Sequence, residues 1–370
     1  MKYIYYVGLL LLLSINFCSC INARKKDEKN VLKIDANLPL TGSFATYGEA
    51  VMDGSLMAIE DFKDSFNIDL IIDWQDNKSK AKEAVNIFQK QKQNGFDIYI
   101  SGVKPQTMAI IDQINHIEKP HFVWVFDAFI TESSKNIFRS WVNYKYEPPY
   151  YLKYIAKMKP KKIAIVYVQL PHTDEEFNDI LIPELERKGF EDLFVESYLY
   201  DKSDFKDIAT KVKKYGPDLI IINGYKANLI QLIKSFREYS LIHNSNTICT
   251  YDLLDAAEEL SPEFLEGLRI IIPQFETRNN GELIEWKKKF EVMFNRKPRY
   301  TDAYAYDMTR SFYLAGKSSF SSDTLSLYHA LMDVKFEGIT GTFQFDSTGD
   351  LILKLDIGFF HNGKLLYEEF

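Results

Sequence analysis

The residue types that could do chemistry in this chain do not assemble into a catalytic or metal-binding signature. The stretch LPLTGSFATYGEAVMDGSLMAIED, Leu38 to Asp61, puts a small-residue loop between an apolar run ending in Pro39 and a long helical pattern. Strand, glycine loop and helix is the layout of many anion sites. The spacing excludes a nucleotide, however. Five residues separate Gly42 from Gly48, too many for a dinucleotide fingerprint or a P-loop, and no Lys-Ser/Thr pair follows. There is no G-x-S-x-G elbow and no H-E-x-x-H. His116, His121, His172, His243, His329 and His361 are scattered without metal-ligand spacing. Of three cysteines, Cys18 and Cys20 lie near the N-terminus and only Cys249 lies further on, which excludes a disulfide framework and a cysteine-based zinc site. No enzyme, metal or cofactor is expected, and the chemistry that remains is non-covalent recognition.

The elements that would position such recognition are easily seen. Strand-like and helix-like segments alternate: VLKIDANL, IDLIIDW, FDIYISG and HFVWVF are strands in the first part, and KKIAIVYV, DLFVESYLY, PDLIIING and NTICTYD in the second. Between them lie amphipathic patterns such as Phe205, Ile208, Ala209 and Val212, at helical spacing. Apolar strands alternating with amphipathic helices predict parallel sheets covered on both faces. Two βα blocks result, about residues 31–144 and 145–276, with a looser stretch around Pro148 and Pro149. Helices dominate from Glu282 to about Val334, with Leu283, Trp286, Phe290 and Met293 on one face. Antiparallel hairpins follow, with STGD and HNGK as turns. A chain of 370 residues fits two domains of about 100–200 residues each. Ligands of open α/β sheets bind beyond the carboxyl ends of the strands, so two facing domains predict a cleft that closes. A net charge of −7 does not favour nucleic acid.

The N-terminal MKYIYYVGLLLLLSINFCSC has a Lys, an apolar core shorter than the roughly 20 residues of a spanning helix, and a small-residue end, so residues 1–20 are expected to be a signal peptide. A lipoprotein signal would end on Cys20, which follows the small Ser19, whereas bulky Phe17 precedes Cys18. A cleaved secretory signal without lipid is the alternative. Residues 21–30, polar and charged, form a short tether. No second apolar stretch approaches membrane length, so the remainder is expected to be soluble and lipid-anchored to a membrane of the cell envelope.

Six segments in order resemble one known family. IDANLPLTGSFATYGEAVMDGSLMAIEDF, DWQDNKSKAKEAVNIFQK, KPKKIAIVYV, DFKDIATKVKKYGPDLIIINGY, TDAYAYDMTRSF and FEGITGTFQFDSTGDLILKLDIGFFHNGKL are similar to the branched-chain-amino-acid (leucine/isoleucine/valine-type) substrate-binding proteins of ABC transporters. The resemblance covers the chain after residue 30. It implies an α/β protein of the type I periplasmic binding fold: two Rossmann-like lobes with helix-covered parallel sheets, a three-crossover hinge and C-terminal β-hairpins. Residues 31–144 plus 277–336 would form lobe 1, and 145–276 plus 337–370 lobe 2. It also implies a monomeric solute-binding subunit, in the periplasm or on the outer face of a membrane, which closes on a small ligand and docks on an ABC permease.

The same resemblance nominates the site. Tyr47, in ATYG, matches a cleft-facing position, or else only packs its loop. The turn after the third strand receives the ligand carboxylate in the family. Here it is SGVKPQTM, with Lys104 and Pro105 in place of serines and Thr107 following, and Lys104 either meets an anion or points to solvent. The family's Ala-Ala-Thr-like segment becomes VFDAFITESS. Ala128 fits, while Asp127 and Phe129 depart from the pattern, so Asp127 would pair with a cation or Phe129 would fill part of the pocket. On the second lobe His172 matches a family Tyr by position, Tyr225 matches by type, and Asp252 falls where an acid binds the ligand ammonium, unless it merely caps a helix. The expected ligand is an amino acid, amide or related nitrogen compound with some apolar bulk. A partner-binding or sensory lipoprotein of the same fold, for example a cell-wall synthase activator with no transported ligand, is the competing reading.

Overall fold

The computed structural model describes residues 29–367 apart from 128, 244, 279 and 323–325. Cys20, the signal segment and Ala128 lie outside the described residues. Two parallel sheets organise the chain. The first has β1 (Asn30–Leu38), β2 (Ile68–Asp76), β3 (Ile98–Gly102), β4 (His121–Trp124) and β5 (Ile137–Phe138) in the order β2-β1-β3-β4-β5. The second contains β6 (Ile163–Val168), β7 (Leu193–Tyr198), β8 (Leu219–Ile222), β9 (Thr247–Cys249) and β10 (Arg269–Pro273). Burial on both faces explains why these strands are continuous apolar runs rather than alternating ones: every residue of β6, IAIVYV, is buried.

Seven helices of ten residues or more cover the sheets among the described residues: α1 (Ala45–Phe62), α2 (Ala81–Gln91), α3 (Pro148–Met158), α4 (Lys206–Tyr215), α5 (Lys226–Glu238), α6 (Gly281–Phe294) and α7 (Tyr300–Phe320). The prolines that made residues 148–149 look loose are the first residues of α3. Proline suits that position because its missing N–H has no intrahelical partner there. In α6, Leu283, Trp286 and Phe290 are buried while Met293 is exposed. Helices α1 and α7 meet at Gly54, where any Cβ would lie 2.1 Å from the Asp302 carbonyl oxygen; only glycine permits that approach.

The tail is shared between the sheets. The hairpin β11–β12 (Lys335–Gly338, Gly341–Gln344) is followed by Phe345, Leu351 and Leu353, and these side chains join Phe343 in the core of the first lobe. The strands β13 (Leu355–His361) and β14 (Lys364–Tyr367) add antiparallel to β10 and close the seven-stranded sheet, β14-β13-β10-β9-β8-β6-β7. The last crossing therefore falls between Leu353 and Leu355, not at residue 337 as the sequence division had it. Apolar burial of Phe343 to Leu353 against first-lobe side chains is the reason. At the HNGK turn, Asn362 and Gly363 both adopt positive φ, as a two-residue hairpin turn requires.

One buried charged cluster ties this tail to the segment leaving the first lobe. Arg139 donates from Nε and Nη2 to Asp350 at 3.0 and 2.6 Å, and both side chains are fully buried. Lys145 reaches the same carboxylate at 2.7 Å, and Asn143 donates to both of its oxygens at 3.3 Å.

Candidate functional site

The chain places the candidate side chains just beyond the carboxyl ends of parallel strands, on the two walls of an interlobe cleft. Tyr47 sits in the first turn of α1, after β1. Lys104 follows β3, and Phe126 and Asp127 follow β4. From the second lobe come His172 after β6, Tyr225 after β8 and Asp252 after β9. Tyr144 and Glu147 lie on the segment that leads into α3.

A hydrogen-bonded chain runs through the cleft. His172 Nε2 lies 2.5 Å from the Tyr225 hydroxyl, which lies 3.2 Å from the Tyr144 hydroxyl. Tyr144 donates to Asp252 Oδ2 at 3.2 Å, and Thr250 donates to the same oxygen at 3.3 Å. With Asp252 ionised, its acceptor-only character fixes the direction of the chain: Tyr144 donates to Asp252, Tyr225 to Tyr144, and His172 Nε2–H to Tyr225. Burial holds His172 down to about 4, with Lys104 adding to the shift and Asp127 opposing it, so the imidazole is neutral near pH 7. Its ring stacks on Tyr144 with centroids 4.9 Å apart.

Asp252 is nearly fully buried. Burial, assisted by the neighbouring Asp255, pushes its carboxyl up to about 7, while the bonds from Tyr144 and Thr250 pull it down. Behind it lie two more buried acids. Glu147 accepts from Tyr151 at 3.1 Å on one oxygen only, and Glu176 has no partner on either oxygen. Burial raises both carboxyls well above the usual range; Asp252 adds to the rise of Glu147, and Glu147 and Asp252 to that of Glu176. The Tyr251 hydroxyl and both amide atoms of Asn223, also buried, lack partners among the described residues. Unpartnered buried polar groups are costly, and here they converge on the second-lobe wall around Asp252: Asp252 and Glu147 act on Tyr251, and Asp252 acts on Glu176.

On the first-lobe wall the charges are already paired. Lys104 Nζ meets Asp127 Oδ1 at 2.5 Å, and Asp127 Oδ2 is buried without a partner. Thr107 does not face the cleft. It is fully buried, 3.0 Å from Ser101, whose hydroxyl lies 2.9 Å from His121 Nε2. The alternation along β3 turns Ser101, and with it Thr107, to the opposite side of the sheet from Ile98 and Ile100, among Tyr99 and His121. Phe129 does not fill the pocket either. It is 45% exposed, because the chain turns outward there into the short helix Ile130–Ser133. The ring that occupies this wall is Phe126, 4.3 Å from Trp141, 5.3 Å from Tyr144 and 6.0 Å from His172.

Sequence reasoning thus named Tyr47, Lys104, Asp127, His172, Tyr225 and Asp252, which the fold brings to one cleft. It missed Phe126, Tyr144, Glu147, Glu176 and Tyr251. Two of these had a signal within reach: Phe126 and Tyr251 each adjoin a residue already singled out. At the mouth of the cleft a cavity of about 200 Å³ is lined from the first lobe by Thr46, Tyr47, Arg299, Tyr300 and Thr301, and from the second by Lys226, Asp255 and Glu258. Among the described residues no group of three or more His, Cys, Asp or Glu could hold a metal ion, and no helix is long and apolar enough to cross a membrane.

Comparison with known proteins matches this arrangement to a family. Leu/Ile/Val-binding protein homolog 1 of Brucella melitensis is 22% identical over 329 residues, which span 86% of each chain. A branched-chain amino acid transporter substrate-binding protein of Streptococcus pneumoniae, solved with isoleucine, superposes with a TM-score of 0.71 at 18% identity, covering 91% of this chain and 98% of that one. A solute-binding protein of an ABC transporter from R. palustris, solved with benzoate, gives 0.73 at 17%, covering 91% and 95%. These likenesses establish the type I periplasmic binding fold. The sequence profile of the periplasmic binding proteins matches residues 32–357, and the chain belongs to that family.

Proposed function

We propose that the protein is an extracytoplasmic, non-enzymatic solute-binding subunit. It closes its interlobe cleft on a small ligand bearing an amine or amide nitrogen and delivers that ligand to an ABC permease. The observation that carries this reading is the chain His172–Tyr225–Tyr144–Asp252, which ends on a buried carboxylate. A cation that enters the cleft gives Asp252 the charge-assisted bond it lacks. The aromatic rings of Tyr47 and Phe126 supply apolar surface for the rest of the ligand. The relatives solved with isoleucine and with benzoate support a small organic ligand. Cys20 would tether the protein to the membrane as a lipid-modified residue, and the protein would act as a monomer.

The test is a thermal-shift screen with amino acids, amides, polyamines and small carboxylates, followed by calorimetry. A ligand at about 100 times its dissociation constant stabilises the folded chain by about 2.7 kcal/mol. Binding by wild type that survives intact in both Asp252→Ala and Tyr225→Ala would remove this site from consideration. One observation favours the partner-binding reading: the first-lobe wall is closed by its own Lys104–Asp127 pair and by the Phe126–Trp141 contact. No response to any small molecule, together with a protein partner recovered by pull-down, would decide for it.

A further inference from the structure

Two cations line the cavity at the cleft mouth, Lys226 and Arg299, and of these Arg299 has no ion pair among the described residues. Arg296, three residues earlier, is committed: it binds Asp53 at 2.6 Å and Asp302 at 2.5 Å. Lys226, across the cavity, pairs with Glu259 at 2.8 Å. Arg299 has no acid within ion-pair distance among the described residues; Asp255 attracts it only from across the cleft. Its backbone is fixed, because its N–H donates to Asp302 Oδ2 at 2.7 Å at the start of α7. Arg299 lines the cavity together with Tyr47 and Tyr300.

The first-lobe turn after β3 offers an anion the opposite. Lys104 is neutralised by Asp127, the second Asp127 oxygen is buried and unpartnered, and the Thr107 hydroxyl is turned into the lobe. A carboxylate placed there would meet a carboxylate. At the cavity, whose wall also carries Asp255 and Glu258, it meets the Arg299 guanidinium, which has no ion pair among the described residues and whose fork matches a carboxylate with two parallel bonds. Tyr47 lines the same cavity as Arg299 and is also acted on by Asp252.

We propose that Arg299 takes the carboxylate of the ligand in the interlobe cavity beside Tyr47 and Tyr300, in place of the turn after β3. The inference rests on the solute-binding reading. It names the ligand class as a small carboxylate, with two sources to separate: amino acids, whose ammonium goes to Asp252, and aromatic carboxylates, which have none.

Calorimetry on wild type, Arg299→Gln, Arg299→Lys and Asp252→Asn tests it. The probes are the twenty common L-amino acids, benzoate and 4-hydroxybenzoate, each tighter binder being paired with its amide. Arg299→Gln weakens the best carboxylate about ten- to hundredfold and changes its amide by less than about threefold, since a bond to a charged group is lost only for the acid. Arg299→Lys recovers part of the loss. An amino acid loses affinity in Asp252→Asn as well, and a benzoate does not. The side chain is exposed, so Arg299→Gln keeps the wild-type unfolding midpoint. Carboxylate binding at wild-type strength in Arg299→Gln, with loss in Tyr225→Ala, overturns the role of Arg299 and leaves the solute-binding reading standing. Amides binding as tightly as acids to wild type also overturns it. No binding by any probe contradicts both.

Discussion

Two buried groups of charged side chains lie close together in this molecule and are built on opposite terms. Around Asp350 every formal charge is answered: Arg139 holds both carboxylate oxygens, and Lys145 and Asn143 fill the remaining directions. Around Asp252, three acids and a tyrosine hydroxyl share too few donors, and Glu176 has none. The first group does not need anything from outside. The second is held in place by burial and becomes balanced only when protons or a cation are added. An unpartnered buried acid does not by itself mark a site, since Asp35 in β1 is in the same condition, raised to about 8 by burial and by Asp73. Convergence on a cleft is what distinguishes the second group.

The contrast can be broken by mutation. Asp350→Ala leaves Arg139 buried without its carboxylate and lowers stability by about 3–5 kcal/mol in urea denaturation. A loss below about 1 kcal/mol would place Asp350 with exposed ion pairs instead. Smaller and opposite in character is Asp252→Asn. The Asp252 carboxyl titrates at about 7 in the folded chain against an ordinary 3.8. Between those values the folded chain holds a proton that the unfolded chain has released, so stability falls as pH rises from about 4 to about 7 and is level above. Asp252→Asn removes that fall. His172 contributes with the reverse dependence. Held near 4, it refuses a proton the unfolded chain accepts, so its effect is loss of stability on acidification below its ordinary 6.5. The difference between wild type and Asp252→Asn, measured across pH 4–8, isolates the carboxyl.

Glu176→Gln sharpens the comparison further. Burial raises the Glu176 carboxyl well above the usual range and so favours its neutral form, and glutamine has nearly the same shape, so stability at pH 6 is expected to change by less than about 1 kcal/mol. A loss as large as that of Asp350→Ala would show that Glu176 is charged and paired. Smallest of all is Phe129→Ala, expected within about 0.5 kcal/mol because the side chain lies at the surface.

Much of this architecture is legible in the sequence because parallel strands buried on both faces cannot hide: IAIVYV and LIII admit few other readings. Tyr225 and Asp252 were recognisable by type, and each stands just past a strand end. Thr107 was misplaced because its orientation depends on which face Ser101 takes in β3, a matter of register that a turn motif does not carry. Glu176 escaped notice for a different reason. It lies in Glu175–Leu181, where the helix widens to i→i+5 bonding, and the widened turn shifts the faces that a 3.6-residue period would assign. Tyr144 and Glu147 precede two prolines, and only the start of α3 at that point turns them toward the cleft.

The shared tail sets the order in which this chain can fold. The first lobe lacks α7, Phe343 and Phe345 until residues 300–345 exist, and the second lobe lacks β13 and β14 until residues 355–367 do. Neither core can be completed before these segments exist, however much of its own sheet has been made. Both lobes must wait for contacts of very long sequence separation, which form slowly. A chain built this way stays uncommitted to its native shape until the shared tail has been made.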